Sequence, residues 1–559
     1  MKNNKSYNLL TDRWMEAERE KGEGVIKIAP WEIATQLEDN PVASVYFPRA
    51  DMEPILYEFL IGIFQTFLLP KNNREWRKLY DNPPDSSGLK QKFEPFQDAF
   101  EVIDEEEAFM QEKSDKLEGT DPRPISRFPL GAPGENTVDQ NRDWIVKEGH
   151  IESICPHCAG VLLYGLQSRG PAGGAGYRTS VRGTSFITTL IRGENVWDTV
   201  WQNVLPKTQF PVETSIPKSS AQEELFPWMG DLTDYVGRDN SGTLYTPEDG
   251  HPLGVYWSTP WRVSFEHSGS SARCDVCGRR SPDLIEDFKK TWYGLNYADV
   301  WHHPLSPYTK DEDGSVQYER VHSGLMYRNW KGLLYGEPDD NLEPALPITY
   351  RLEREPSSDA RVWTYGHRLK RNRIKDWQET SFPLLKVGGQ KDEFLHHTKE
   401  MIELADYIRQ QGVWALHRSL YGNYVEGDWR YPDQEHNSPN WNNGIYEDFS
   451  DTFWQKTEGR FFSQVETLRD KLLDGEPFDE VKKEWFTYSK NATIELYQNL
   501  SSQENDRFSR SRMMAYRFLM YGLSHEAGGI NNRYTTEAGN SISTLWKDEK
   551  EGQTSESKS

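Results

Sequence analysis

Four cysteines carry the clearest chemistry in this chain. They fall in two C-x-x-C pairs, Cys155 and Cys158 in ESICPHCAG, and Cys274 and Cys277 in SARCDVCGRR. Two thiolates cannot close a tetrahedral metal shell, whereas zinc takes four soft ligands readily when paired knuckles supply them two by two. The gap between the pairs is longer than in an ordinary zinc ribbon, so the shell would close across an inserted segment. Separate redox pairs fit less well, because neither pair stands visibly between a strand and a helix. Disulfides are disfavoured in a chain with no sign of secretion. The expectation is one structural zinc held by Cys155, Cys158, Cys274 and Cys277. His157 lies inside the first pair and stands as a bystander to a filled shell.

Catalytic constellations are missing from the sequence. It contains neither H-E-x-x-H nor G-x-S-x-G, and four thiolates would leave no open position for an activated water. In WHHPLSP, His302 and His303 are adjacent and point to different faces in regular structure, which suits packing better than catalysis. Two stretches instead suit binding. GPAGGAGYRTSVRGT places Gly173, Gly174, Ala175 and Gly176 in a segment whose backbone can approach another molecule closely, with Arg178 just after them. No G-K-[ST] closes it as in a phosphate loop, and a strand, not the helix of a dinucleotide site, follows it. RVWTYGHRLKRNRIKDW crowds Arg361, Arg368, Lys370, Arg371, Arg373 and Lys375 among Trp363, Tyr365 and Trp377. This is a nucleic-acid patch candidate, set in a chain of opposite overall sign.

Those residues must be positioned by a large body. The chain has 559 residues, a formal charge of -23 and 13% aromatic residues. The negative charge argues against indiscriminate binding to a polyanion, since phosphate affinity comes mainly from Lys and Arg. The opening MKNNKSYNLL has no apolar run, and the most apolar stretch, PILYEFLIGIFQTFLLP, is shorter than a bilayer span and carries Glu58. A soluble, cytoplasmic protein with no membrane partner is expected. After RADMEP, with Asp51 as N-cap, Ile55 to Leu68 repeat at helical spacing and predict an amphipathic core helix. Near the start, strand and turn patterns predict a strand leading into a helix, and FITTLIRG predicts another strand. The fold class is α+β. An N-terminal α/β domain (1–388) carries the knuckles and loops, and four long helical patterns predict a four-helix bundle over 389–545. A disordered tail (546–559) completes the chain.

Taken together, NLLTDRWM, PRADMEPILYEFLIGIFQ, NPP at Asn82–Pro84, FMQEK, CPHC, the glycine loop with VRGTSFITTLIRG, CDVCG and WHHPLSP resemble the large subunit of type I-E Cascade, the CasA family of CRISPR surveillance complexes. The resemblance implies a non-catalytic subunit that works with sister subunits, small subunits among them, around a guide RNA. It would read the protospacer-adjacent motif of double-stranded target DNA from the minor groove and promote strand separation and R-loop formation, while base pairing reads the sequence. It also implies docking of a separate helicase–nuclease, and contacts of the bundle with small subunits and displaced DNA. Carried over residue by residue, the glycine loop is Gly173, Gly174, Ala175 and Gly176, the basic finger is Arg273, and the strand-separating wedge is Lys370, Arg371 and Asn372. GAPGENTVD, with Glu135, Asn136 and Thr137, matches a loop near the motif and the guide-RNA handle. Departures from the family pattern are Arg273 where a Lys is frequent, Ala175 among the glycines, and a basic wedge tip.

Two rival classes are separable by experiment. A zinc-dependent nuclease or phosphoesterase requires a metal-bound water and cleavage by the isolated chain. A zinc-containing protein–protein scaffold requires that DNA affinity of the assembled complex be indifferent to Arg273 and Arg371.

Overall fold

The computed structural model describes residues 7–22, 24–104, 107–141, 143, 146–215, 222–267, 269–354, 358–370, 372–431, 438–440, 444–501 and 509–524. Arg371 and the tail expected at 546–559 lie outside them. The chain separates into two compact units. The first takes Met1–Leu325, Gly332–Pro356 and Ala360–Leu384; the second takes Met326–Lys331, Ser357–Asp359 and Leu385–Ser559.

The first unit mixes helices with small antiparallel sheets. Strands β1 (Met15–Arg19), β2 (Ile26–Ile28) and β3 (Val42–Tyr46) form a sheet in the order β2-β1-β3. Only a single 3-10 turn, Pro30–Glu32, follows β2 where a helix is expected. Helix α1 (Glu53–Leu68) runs through the core with every side chain from Pro54 to Leu68 buried. It is therefore enclosed on all sides, not amphipathic as expected, and its polar members need internal partners. Its cap also differs from expectation: no side chain caps the helix, and Asp51 instead pairs with Arg49 at 2.7 Å and with His367 at 3.2 Å.

Helix α2 (Pro156–Arg169) starts at the first knuckle, with Pro156 in a first turn where a missing N–H is harmless. It stops at Gly170, where a Cβ would lie 2.5 Å from the Leu166 carbonyl oxygen and 2.8 Å from Trp261 Nε1. Only glycine lets the chain leave the helix along that path. Strand β4 (Thr188–Arg192) follows the glycine loop. Next come β5 (Arg262–His267), β6 (Ala272–Arg273), β7 (Arg280–Ser281) and β8 (Ile285–Thr291). β5 pairs with β8, with Phe265 opposite Phe288, and β6 pairs with β7. A long hairpin of β9 (Ala360–Lys370) and β10 (Arg373–Leu384) closes the unit, and β4 pairs with Arg361–Tyr365 of β9.

The second unit is a C-terminal helical region of α3 (Lys391–Tyr421), α4 (Gly444–Asp474), α5 (Asp479–Ser501) and α6 (Ser509–Gly522). Buried Trp485 donates to the Met401 carbonyl at 2.8 Å and Tyr407 to the Gly522 carbonyl at 3.1 Å, tying α3 to α5 and α6. Gly412 admits Phe449 of α4, whose ring would lie 2.4 Å from a Cβ there. Among the described residues no helix is long and apolar enough to cross a membrane.

Candidate nucleic-acid interface and metal centre

The two knuckles meet. Ligand atoms of Cys155, Cys158, Cys274 and Cys277 all lie within 4.8 Å of one another, and the Sγ atoms of Cys155 and Cys277 are 3.8 Å apart. Four thiolates about 2.3 Å from one zinc form a tetrahedron whose edge is also about 3.8 Å, so the donor set fits that ion. Cys155 occupies the N-cap position of α2 and Cys158 sits in its first turn, so one helix start places both thiols. The other pair sits on a tight turn: the Gly278 N–H donates to the Cys274 carbonyl and the Cys274 N–H to the Arg279 carbonyl, both at 2.8 Å.

Asp275 joins the halves. Its carboxylate accepts from the Glu152 and Ser153 N–H groups at 2.8 Å each, and its own N–H donates to the Ser153 carbonyl at 2.9 Å. Asp275→Ala is therefore expected to weaken metal binding by about 10–100-fold, the usual cost of losing an outer-shell partner, as read by competition with a chelating dye. His157 is not part of the cysteine cluster; it stacks on Trp14 with its Nε2 3.1 Å from Asp12.

The glycine loop stands at the far end of the elements that start at the knuckles. α2 has 14 residues and β8 has 7, lengths of about 21 Å and about 23 Å. Ile154, beside Cys155, bridges to Ile285 at the start of β8. Just past the end of β8, the Tyr293 N–H donates to the Gly176 carbonyl at 2.7 Å. Exposed Arg273 is held beside the four-cysteine cluster by β6, and its guanidinium donates to the Gly278 carbonyl at 3.2 Å. It is thus separated from the glycine loop by the length of α2.

Gly173, Gly174 and Ala175 are exposed. Gly174 has φ +131 and a Cβ there would touch nothing, while Gly176 has φ +84 and a Cβ would lie 3.0 Å from Trp292. The loop thus presents bare backbone outward and packs tightly inward. Arg178, just after the loop, donates to the Ser241 carbonyl.

Two neighbours of this loop escape a reading of the sequence. Lys290 lies 5.0 Å from the ring centres of both Tyr177 and Trp261, and burial, with the nearby Arg123 charge, pushes its ammonium from 10.5 down to about 8. Trp292 is 50% exposed, a large aromatic side chain standing free beside Gly176. The FKKTWYG stretch offers only a strand with a tryptophan. Its proximity to glycines more than a hundred positions earlier comes from the tertiary fold alone.

The hairpin carries the third element. Lys370 pairs with Arg373, and Asn372, between the strands, has φ +59. Asn tolerates that left-handed conformation better than most residues. Lys370 and Asn372 are exposed; Arg371 lies outside the described residues. Arg368 forks onto Asp376 with its shortest contact at 2.6 Å, and the register shifts between Arg368 and Leu369. The resulting bulge adds local twist near the tip.

Glu135–Val138 form one helical turn, in which the Thr137 N–H donates to the Gly134 carbonyl at 2.8 Å; the Glu135 and Asn136 side chains lie outside the described set. His303 is buried, accepts from the Leu305 N–H at 3.3 Å, and is held neutral by burial and the Arg182 charge. His302 packs against Tyr308, and burial lowers it to about 4.

The fold is similar to the crystal structure of CasA from Thermus thermophilus, with a TM-score of 0.66 and 15% identity over 93% of this chain and 99% of that one. It is equally similar to Cse1 from Acidimicrobium ferrooxidans, with a TM-score of 0.66 and 12% identity over 97% of this chain and 100% of that one. A chain in a structure titled "CRISPR RNA-guided surveillance complex" matches with a TM-score of 0.63 and 14% identity, over 92% and 99% of the two chains. At these identities the likeness speaks for the fold. The sequence itself matches the family described as CRISPR-associated protein Cse1 over residues 8–496, so the chain belongs to that family.

Proposed function

We propose that this chain is the non-catalytic large subunit of an RNA-guided surveillance complex, and that it reads a short motif in duplex DNA from the minor groove and starts strand separation there. The observation that carries the reading is the glycine loop: exposed backbone at Gly173–Ala175, flanked by the Lys290 ammonium and the free Trp292 ring. A narrow groove with a degenerate acceptor pattern suits bare backbone and a few cations. Lys370 and Asn372 stand at the tip of a long hairpin, a shape that can enter between strands, and a wedge must replace base stacking worth a few kcal/mol per step. Arg273 contacts the duplex from the metal-centred end of α2. Zinc, held by Cys155, Cys158, Cys274 and Cys277, fixes that end and supplies no chemistry to the DNA. The second unit is a four-helix bundle that serves small subunits and displaced DNA, and the assembled complex recruits a helicase–nuclease.

The test uses the assembled complex on duplexes with and without the motif. Lys290→Ala, Trp292→Ala and Arg273→Ala are each expected to lower affinity for motif-bearing DNA by about tenfold or more while sparing motif-free DNA, since each good base or groove contact is worth roughly 1–3 kcal/mol. Equal loss on both DNAs would mark general phosphate contacts, and no loss on either would favour the scaffold.

The depressed ammonium of Lys290 adds a pH signature. The folded state favours its neutral form, so its contribution to stability improves as pH rises from about 8 toward 10.5. Its attraction for DNA falls as the folded protein loses that proton, around pH 8. Motif-dependent affinity should therefore decline between pH 7 and 9, the window around the value of about 8, and Lys290→Arg should flatten the decline. A profile identical in both proteins would remove Lys290 from the contact.

A further inference from the structure

The buried carboxylate of Glu58 receives groups from both candidate DNA-contacting elements. Glu58 lies mid-way along α1 and is wholly buried. Arg169, the last residue of α2, donates to its Oε1. Arg182 donates to its Oε2 at 2.5 Å. Between these arginines runs the glycine loop, which leaves the helix at Gly170 and closes where Ser180 bridges to Gly183. Both ends of the loop are therefore fastened to one side chain. The third group is Tyr365, whose hydroxyl donates to Oε1 at 2.8 Å. Tyr365 is the last residue of β9 that pairs with β4; beyond it the hairpin continues toward Lys370 as two strands.

A stability role explains this arrangement poorly. Apolar replacements of buried ion pairs and triads are frequently neutral or stabilising, and this triad is not fully satisfied. The Nε atoms of Arg169 and Arg182 have no hydrogen-bond partner among the described residues, and both guanidiniums lie over the Phe186 ring, at 4.4 and 4.0 Å. The ionic node instead supplies direction. A carboxylate with two oxygens in fixed orientation sets the angle at which each arginine, and hence each end of the loop, departs. Burial alone would raise the Glu58 carboxyl, but the two guanidiniums hold it well below the carboxylate range, so the node stays ionised.

A second tie repeats the pattern near the start of α1, where Asp51 takes His367 of β9 at 3.2 Å. Between Tyr365 and His367, Gly366 lets the strand lie against the Phe186 carbonyl, which a Cβ would approach to 2.6 Å.

We propose that Glu58 is a positioning residue that holds the glycine loop and the base of the hairpin in one fixed mutual arrangement, so that motif reading and strand opening act on the duplex together. This rests on the reading of the loop and hairpin as DNA-contacting elements.

Two measurements test it separately. In the full chain, amide hydrogen exchange over 172–179 and 366–370 is compared for wild type, Glu58→Gln, Glu58→Asp and Tyr365→Phe. Glu58→Gln should raise exchange in both segments by about tenfold or more, as expected when hydrogen bonds to a charged partner are lost, with β1–β3 unchanged. Glu58→Asp should restore part of the protection. Tyr365→Phe keeps the core volume and should loosen 366–370 alone, so it still decides the matter if Glu58→Gln fails to fold. In the assembled complex, Glu58→Gln should lose about tenfold or more in affinity for motif-bearing duplex, and motif-free binding should stay as in wild type. For a target already opened next to the motif, Tyr365→Phe should bind as wild type does, and for an intact duplex it should open strands more slowly. Unchanged exchange in both segments, in folded Glu58→Gln or Tyr365→Phe, overturns the positioning role whatever the DNA data show. Raised exchange with unaltered motif-dependent affinity overturns the DNA-recognition reading instead.

Discussion

Cys274→Ala is expected to yield a chain without stoichiometric zinc and with a thermal midpoint lower by about 10 °C. Cys274 is almost fully buried and sits in the turn that also carries Asp275, so its loss removes one of four ligands from the packed side of the cluster. In isolated zinc fingers the metal is worth roughly 10–16 kcal/mol of folding free energy. Here the knuckles retain the backbone pairing of Ile154 with Ile285 and the core contacts of α2, so only several kcal/mol of that should be lost. At roughly 2–4 °C per kcal/mol for a unit of a few hundred residues, the midpoint falls by about 10 °C. Elemental analysis with differential scanning calorimetry checks both halves. Wild-type protein that folds to the same midpoint after exhaustive chelation would refute the structural role of the metal.

The second large effect should come from an exposed residue. Ala175 is exposed, interrupts the glycines, and is not among the residues with positive φ. Leucine at that position therefore costs the fold little, and Ala175→Leu should leave the thermal midpoint within about 1 °C of wild type, as for surface changes within ±0.5 kcal/mol. Its added volume stands on the exposed loop proposed to meet the duplex. Affinity of the assembled complex for motif-bearing DNA should fall by roughly 100-fold, the scale of losing one or two groove contacts at roughly 1–3 kcal/mol each. Motif-free binding should be unchanged. Fluorescence anisotropy on matched duplexes reads the difference, and full retention of motif preference would exclude this loop from the groove. Gly174→Leu would be a poorer probe, because φ +131 adds backbone strain of its own.

The parts of this molecule that could be read from sequence are those whose physics is local. Helical spacing from Ile55 to Leu68, a β-branched run at 188–192 and a glycine cluster each announce themselves within a dozen residues. The cysteine pairs could be joined across a long insert because four thiolates suit one tetrahedral ion and little else in the chain competes. The errors came where a residue's partner is distant. Asp51 has the composition of a helix cap and instead spends its carboxylate on Arg49 and His367. The α1 pattern suggested one polar face, but other elements cover that helix entirely. Lys290 and Trp292 belong to an ordinary strand until the fold sets them beside Gly176 and Tyr177.

The hairpin has one more consequence, which concerns the chain before it meets any partner. Past Tyr365 the two strands have no third neighbour in the register among the described residues, and bare strand edges invite pairing with another copy of the same segment. Arg368, Lys370, Arg373 and Lys375 crowd this stretch, and the bulge after Arg368 twists it. Like charges laid edge to edge repel, and a twisted ribbon offers a poor template. Lys370, Arg373 and Lys375 at this edge are thus expected also to oppose pairing of unassembled chains, and replacing them with valine should lower the solubility of the free chain, as read by sedimentation.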